Sequence, residues 1–232
     1  MAHVMATAFF IMTKKITALK LQKKNRERVT VYLDGEYAFG VAHILAARLR
    51  TGQELSDATI ESLQNEDAQE VAYQRALNFL SYRARSSEEV RRNLRKKDFS
   101  AECIESVIRR LEHHNYVNDA EFAVLWVENR SEFRPRGRYA LRAELRQKGI
   151  ANNVIDSVLQ DLDEDQLAYR AAVQQVTKYK PMDWISFRKK LSAFLSRRGF
   201  SYEITANVLP KIWEEQDYSV LPMNRDDSED PL

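Results

Sequence analysis

The sequence predicts a mainly α-helical protein made of three tandem three-helix, helix-turn-helix-like repeats, preceded by a small N-terminal β-hairpin or sheet. The first observation is a block that occurs three times, in residues 91–111, 142–162 and 192–212, at offsets of 51 and 50 residues. The second is composition, because 6 Gly and 5 Pro among 232 residues leave little material for a turn-rich fold. A helical unit of this size cannot bury its apolar face alone, so we expect the repeats to stack in an elongated, curved array.

The N-terminal region is expected to hold the strands. Residues 16–22 and 28–33 alternate apolar and polar side chains. Asp34-Gly35 is a strong signal for a two-residue hairpin turn that leads into residues 36–41. A hairpin or three-stranded sheet is therefore predicted, and it needs another element to pack against.

Helices are predicted to follow the strands. One short helix covers residues 43–50 and ends near Gly52, and a second covers residues 56–64. From Asp67 to Arg83 the apolar spacing is that of an amphipathic helix leading into the first repeated block. Similar lead-in helices precede the second and third blocks, so each repeat comprises three helices.

Each repeated block is predicted to be a helix, a tight turn and a second helix. The turn position holds Asp98, Gly149 or Gly199, where a left-handed helix cap favours Gly and tolerates Asp. Ser100 and Ser201 follow as N-caps of the second helix. The predicted boundaries are a disordered leader, residues 1–14; the N-terminal region, 15–65; the three repeats, 66–118, 119–164 and 165–216; and a disordered acidic tail, 217–232.

The net charge of +2 conceals an uneven distribution. Residues 1–71 carry 9 basic and 9 acidic side chains, residues 72–216 carry 26 and 20, and residues 217–232 carry 1 and 5, so the segments have charges of 0, +6 and −4. The repeats are therefore the basic part of the chain. The single cysteine, Cys103, excludes an intramolecular disulfide, is expected in the core and fits a reducing cytoplasm.

The sequence carries no pattern typical of catalysis or of a cofactor site. His113 and His114 are adjacent and have no second Cys or His nearby, so a solvated helix end is favoured over a metal site. Residues 134–137, RPRG, have too few glycines to cradle a triphosphate and are interpreted as a helix-entry corner. The carboxylates are spread over helix surfaces. We expect a protein that is not an enzyme and binds no metal or cofactor.

Basic residues recur in the first helix of each block and in the corner before the second block. They predict a stripe that contacts a polyanionic partner, although a solvated face fits the same pattern. Aromatic residues such as Tyr73, Phe79, Trp126, Tyr139 and Trp184 could stack on bases, but packing is favoured for most of them. The predicted contact residues, called here the basic stripe, are Arg91, Arg92, Arg95, Lys96, Arg134, Arg136, Arg138, Arg142, Arg146, Lys148, Arg188, Lys189, Lys190, Arg197 and Arg198.

Three motifs in the middle of the chain occur in a recognisable order. They are residues 111–123, LEHHNYVNDAEFA; the RPRG corner; and residues 144–150, ELRQKGI. Together they resemble the central signature of the bacterial RecX regulatory proteins over roughly residues 66–215. The chain departs from that pattern at Asp98 and Asn115, where Gly is usual, and by extra residues near Pro181.

The resemblance implies a regulator that binds the RecA recombinase filament and mainly inhibits its growth, its ATPase and strand exchange. It also implies nonspecific contact with single- and double-stranded DNA. We expect a cytoplasmic monomer that does not associate with membranes. Two alternatives stay open at this stage: a helix-turn-helix transcription regulator with a preferred DNA site, and a helical scaffold for protein assembly.

Overall fold

The structure, a computed structural model, describes residues 13–179 and 182–220, with side chains through residue 215. The first twelve residues of the predicted leader, Lys180 and Pro181, and residues 221–232 of the predicted tail lie outside this part of the chain. The chain separates into two compact units, residues 1–117 and 118–232. Each unit is described by itself.

The first unit begins with a four-stranded antiparallel sheet in the order β3-β2-β1-β4. The predicted turn is confirmed, since Asp34 and Gly35 have φ angles of 51° and 93°. The fourth strand was not predicted, because its three residues show no periodicity and are recognisable only by their pairing with Thr13–Lys15. The strands are β1 (Thr13–Gln22), β2 (Asn25–Leu33), β3 (Glu36–Ala42) and β4 (Glu54–Ser56).

Two helices follow, and both differ from the prediction. Helix α1 covers only His43–Ala46, which is shorter than the predicted 43–50. The two helices expected over residues 56–64 and from Asp67 are one continuous helix, α2 (Asp57–Leu80), capped by the Ser56 hydroxyl, which accepts from Thr59 N. Residue 67 is therefore inside a helix and not at its start.

Asp67 fastens this helix to the sheet. Its carboxylate accepts hydrogen bonds from Arg28 Nη2 on β2 and from the backbone N–H of Ala42, both at 2.7 Å. The residue is 9% exposed. Below the sheet, Leu63 of α2 joins a core formed by alternate strand residues such as Ile16, Val31 and Val41.

The first repeat is completed by helices α3 (Ser87–Arg95) and α4 (Ala101–His113). Ser86 and Glu89 form the capping box that begins α3, and Ser100 accepts from Cys103 N at the start of α4. Asp98, in the turn between them, has a φ of 62°, which confirms the left-handed cap. Asn115 also has a positive φ, 56°, a conformation that Asn adopts more readily than most residues. Cys103 is buried, as predicted.

The second unit contains two further three-helix repeats. Helix α5 is capped by the Asn118 side chain, and the second repeat is completed by α6 and α7. Gly149 and Gly199 have φ angles of 82° and 83°, so both predicted left-handed caps are confirmed. Helix α10 continues past residue 216, where the third repeat was predicted to end. The helices are α5 (Asp119–Phe133), α6 (Arg138–Gln147), α7 (Asn152–Leu159), α8 (Glu164–Val176), α9 (Trp184–Arg197) and α10 (Tyr202–Val220).

Within this unit, the RPRG corner of the second repeat packs directly on the α9–α10 turn of the third. Gly137 N donates to Arg198 O at 2.9 Å, and Arg198 Nη1 donates to Pro135 O at 3.1 Å. A Cβ built on Gly137 would lie 2.2 Å from Gly199 O. Gly137 and Gly199 therefore allow the backbones of the second and third repeats to touch. The sequence predicted only that the RPRG corner begins a helix.

Candidate functional site

The structure places Arg91, Arg92 and Arg95 of the stripe on α3, where carboxylates neutralise all three. Arg91 forms a two-pronged bond with Glu105 of α4, from Nε to Oε1 at 2.8 Å and from Nη2 to Oε2 at 3.1 Å. Arg92 pairs with Glu88 at 3.0 Å, and Arg95 lies 3.9 Å from the same carboxylate. The fourth stripe residue here, Lys96, is exposed. Part of the predicted stripe is thus neutralised inside the molecule.

The same ion pair recurs in the second repeat. Arg142 of α6 pairs with Asp156 of α7, and both residues lie 51 positions after their counterparts in the first repeat. The bond with Glu105 raises the pKa of Arg91 and lowers that of Glu105, so both groups remain charged. The third repeat has Ser192 and Ala206 at the corresponding positions and cannot form this pair.

Glu144 of α6 also neutralises arginine side chains. Its carboxylate accepts from Trp126 Nε1 and Arg130 Nε, both at 2.8 Å, and from Arg136 Nε at 2.9 Å. The nearby Arg138 pairs with Glu164. These contacts give Arg136 and Arg138 structural partners within the second unit.

Three of the remaining stripe residues have other contacts within the second unit. Arg146 donates to the Asn152 amide, Lys148 lies 4.7 Å from the centroid of the Trp126 ring, and Arg198 lies over Phe194. Within the described part of the chain, no carboxylate pairs with the six others, all exposed: Lys96, Arg134, Arg188, Lys189, Lys190 and Arg197. Four of these six are on α9, which carries no acidic residue. Helix α9 is therefore the strongest part of the stripe for binding a polyanion.

Three guanidinium groups come together where the second and third repeats meet. Burial lowers the pKa of Arg198, and the charges of Arg136 and Arg134 lower it further. Glu144 already neutralises Arg136, so an anion bound here would contact chiefly Arg134 and Arg198. The cluster adjoins the end of α9, so it extends the basic surface of that helix.

The aromatic residues are divided as follows. Tyr73 is buried, Phe79 and Trp184 pack against core clusters, and Trp126 stacks on Phe122. The predicted packing role is confirmed for these four residues. Tyr139 is the exception among the five, since its side chain is 79% exposed on α6.

The first repeat has a basic corner, formed by Arg83 and Arg85, that the predicted stripe does not include. Arg85 lies over the Phe79 ring, with its guanidinium carbon 3.9 Å from the ring centroid, and burial followed by the charge of Arg83 lowers the pKa of Arg85. Both arginines lie 51 residues before Arg134 and Arg136. The repeat alignment could have identified them, since it equates the two corners.

Neither a metal site nor a membrane-spanning helix is found among the described residues. They contain no cluster of three or more His, Cys, Asp or Glu that could hold a metal ion. No helix in the same part of the chain combines the length and apolar character needed to cross a membrane.

Comparison with known protein families matches both units. Three family profiles fit the chain: the RecX N-terminal domain over residues 14–56, the first RecX three-helix domain over 72–111 and the second over 118–159. The regulatory protein RecX of Bacillus subtilis (strain 168) is 38% identical over 209 residues, which cover 87% of this chain and 78% of the relative. That of Bacillus pumilus (strain SAFR-032) is 36% identical over 208 residues, with coverage of 87% and 79%.

Solved structures agree with this result. A crystal structure of a regulatory protein RecX superposes with a TM-score of 0.69 at 29% identity, covering 84% of this chain and 98% of the other. RecX from Lactobacillus salivarius gives a TM-score of 0.58 at 25% identity, covering 64% and 99%. RecX regulatory proteins are not enzymes. With three domain profiles in order and relatives matched over most of their length, the chain belongs to the RecX family of regulatory proteins.

Proposed function

We propose that this protein binds the RecA recombinase filament and limits its growth, its ATPase and strand exchange. The observation that carries the proposal is membership of the RecX family, which rests on matches in both units. A nucleoprotein filament also presents DNA phosphates, and the carboxylate-free surface of α9 has the charge to contact them. We propose α9, together with Arg134 and Arg198 beside its end, as the principal contact within the basic stripe.

The helix-turn-helix regulator remains the second candidate. A reader of that type inserts the second helix of the unit into the major groove. Here α4 and α7 present Glu105 and Asp156, each bonded to an arginine of the preceding helix. Carboxylates on that face would repel phosphates, which favours nonspecific contact through the first helices. A preferred duplex site in a binding selection would support the transcription regulator instead.

The principal experiment measures the RecA ATPase on single-stranded DNA with substoichiometric protein. We expect the wild-type protein to reduce ATP hydrolysis. We expect Arg188→Gln/Lys189→Gln/Lys190→Gln to need at least several-fold more protein for the same reduction, because the variant loses three exposed charges of α9. The matched control is Arg109→Gln/Lys178→Gln/Lys211→Gln, with the same change in net charge at exposed positions outside the stripe. No effect of the wild-type protein at any ratio would exclude RecA modulation.

A second prediction concerns the neutralised arginines. Glu105→Gln/Asp156→Asn releases Arg91 and Arg142 from their intramolecular pairs, so we expect tighter duplex DNA binding and a steeper dependence of affinity on salt. The slope of log K against log salt should grow by up to about 2 if both freed arginines contact phosphates. Glu61→Gln/Glu128→Gln is the control for net charge alone. An equal gain in both variants would show that Arg91 and Arg142 do not face DNA.

A further inference from the structure

Residues 1–71 have no net charge, but their basic and acidic side chains lie in different elements of the fold. The segment of β1, β2 and β3, residues 13–42, carries seven basic and three acidic side chains, a net charge of +4. Residues 43–71, which include the whole first half of α2, carry two basic and six acidic side chains, a net charge of −4. The zero total for residues 1–71 therefore comes from two regions of opposite sign, and the sheet is the basic one.

Most of this positive charge is concentrated at one end of the β1–β2 hairpin. Lys23 and Lys24 form its turn, Lys20 precedes the turn on β1, and Arg26 follows it on β2. All four side chains are exposed, and none pairs with a carboxylate among the residues that the structure describes. Arg28 differs from them because Asp67 neutralises it. An exposed cluster of four cations without carboxylate partners has the charge pattern of a phosphate-binding surface.

The same sheet also presents two tyrosines on the face opposite the core. Lys20 pairs with Thr30, and Tyr32 pairs with Tyr37, across neighbouring strands. The Lys20 ammonium lies 4.9 Å from the centroid of the Tyr32 ring, which places both on one face. The rings of Tyr32 and Tyr37 meet edge to face with centroids 6.5 Å apart, and Tyr37 is 67% exposed. Val31 and Val41, on the other face, are fully buried.

We infer that this face of the sheet, with Lys20, Arg26, Tyr32 and Tyr37, binds single-stranded nucleic acid together with the adjoining turn, which carries Lys23 and Lys24. The hairpin cations contact backbone phosphates, and the exposed tyrosine stacks on an unpaired base. Aromatic rings on an open sheet, with Lys20 beside Tyr32 and the other cations further along the same hairpin, suit a single strand, because stacking needs bases that are not already stacked in a duplex. Sequence preference is small, since every base offers a π-face.

This inference goes beyond the proposed function because it needs no RecA, and it can fail while RecA modulation holds. The assay titrates a fluorescent oligothymidylate, and separately a labelled duplex, with the full-length protein in the absence of RecA. Lys23→Gln/Lys24→Gln/Arg26→Gln should bind the single strand at least tenfold more weakly at about 0.1 M salt. Its slope of log K against log salt should be smaller in magnitude by about 2.

The ring contact is tested by a separate change. Tyr37→Ser removes a mostly exposed ring and should weaken single-strand binding about fivefold or more, with little effect on duplex binding. Tyr82→Ser, at a 76% exposed tyrosine outside the sheet, is its control. Irradiation of the wild-type complex with an iodouracil-containing strand should crosslink Tyr37 or Tyr32, identified by peptide mass spectrometry. Circular dichroism confirms that the variants are folded.

Three results would overturn the inference. One is a loss of affinity in the hairpin triple variant no larger than in Arg109→Gln/Lys178→Gln/Lys211→Gln, which has the same net charge. Another is equal weakening of single-strand and duplex binding by Tyr37→Ser, or crosslinks confined to the helical repeats. The third is a hairpin triple variant with unchanged DNA affinity and reduced inhibition of the RecA ATPase, which would assign this face to a protein partner.

Discussion

Gly137→Ala is expected to lower the free energy of unfolding of the second unit by about 2 kcal/mol or more, because its new methyl group has no space. The added Cβ would lie 2.2 Å from Gly199 O and 2.6 Å from Phe200 N, both backbone atoms that cannot rotate away. The φ of Gly137 is −73°, so alanine adds no conformational strain. The whole effect is therefore expected from the contact between the second and third repeats.

Gly199→Ala is expected to destabilise the second unit in two ways, through a steric clash between the repeats and through backbone strain. Its φ is 83°, and its Cβ would lie 2.5 Å from both Ala140 N and Ala140 Cβ. Gly52→Ala isolates the strain, since Gly52 has a φ of 91° and only Lys15 Cε lies within reach, at 4.0 Å. We expect the control to cost about 1 kcal/mol and Gly199→Ala clearly more.

The stability of each unit can be measured separately. All three tryptophans, Trp126, Trp184 and Trp213, are in the second unit, so urea unfolding followed by tryptophan fluorescence reports on that unit alone. Hydrogen exchange in peptides of the first unit gives the corresponding value for Gly52→Ala. If Gly137→Ala costs no more than Gly52→Ala, close approach of the two backbones is not what holds these repeats together.

The features that could be predicted from sequence are those encoded by a few adjacent residues. The Asp34-Gly35 turn and the left-handed caps at Asp98, Gly149 and Gly199 require a positive φ, which few residue types adopt readily. The N-caps at Ser100 and Ser201 are equally local. Such signals do not depend on the rest of the fold, and the structure confirms them.

The features that were missed depend on contacts between distant segments. Strand β4 exists because it pairs with the start of β1, and it is too short to show alternation. The pairing of Arg91 with Glu105 joins two helices across a turn, so charge counting along one helix did not find it. That pairing divides the basic stripe into neutralised and exposed residues, a distinction that composition cannot make.

The continuity of α2 was missed for a related reason. Residues 65–67, Asn-Glu-Asp, include two residues of modest helix propensity, so the sequence favoured a break there. In the structure the carboxylate of Asp67 does not compete for the helix backbone, because Arg28 and Ala42 of the sheet occupy both of its oxygens. A tertiary contact thus overrides the local preference.

Asp67→Ala is therefore expected to cost about 2–3 kcal/mol in the first unit. The change leaves the Arg28 guanidinium without its carboxylate and the Ala42 N–H without its acceptor, and both losses carry desolvation costs. The Arg28 side chain remains 25% exposed, so water recovers part of the loss and the effect falls below that of a fully buried pair. Asp57→Asn is the matched control, since its ion pair with Lys14 is exposed on both sides and should contribute less than about 1 kcal/mol.

Hydrogen exchange localises the expected effect of Asp67→Ala. Amides of β2 and β3 should exchange about thirty-fold faster or more, which corresponds to about 2 kcal/mol, because this carboxylate fastens α2 to those strands. The urea midpoint from tryptophan fluorescence should stay unchanged, since every tryptophan is in the second unit. Asp67→Asn keeps an acceptor for Ala42 and should recover part of the loss. Equal exchange in Asp67→Ala and Asp57→Asn would mean that the sheet is held on α2 by its apolar core, through Ile60 and Leu63, and not by this carboxylate.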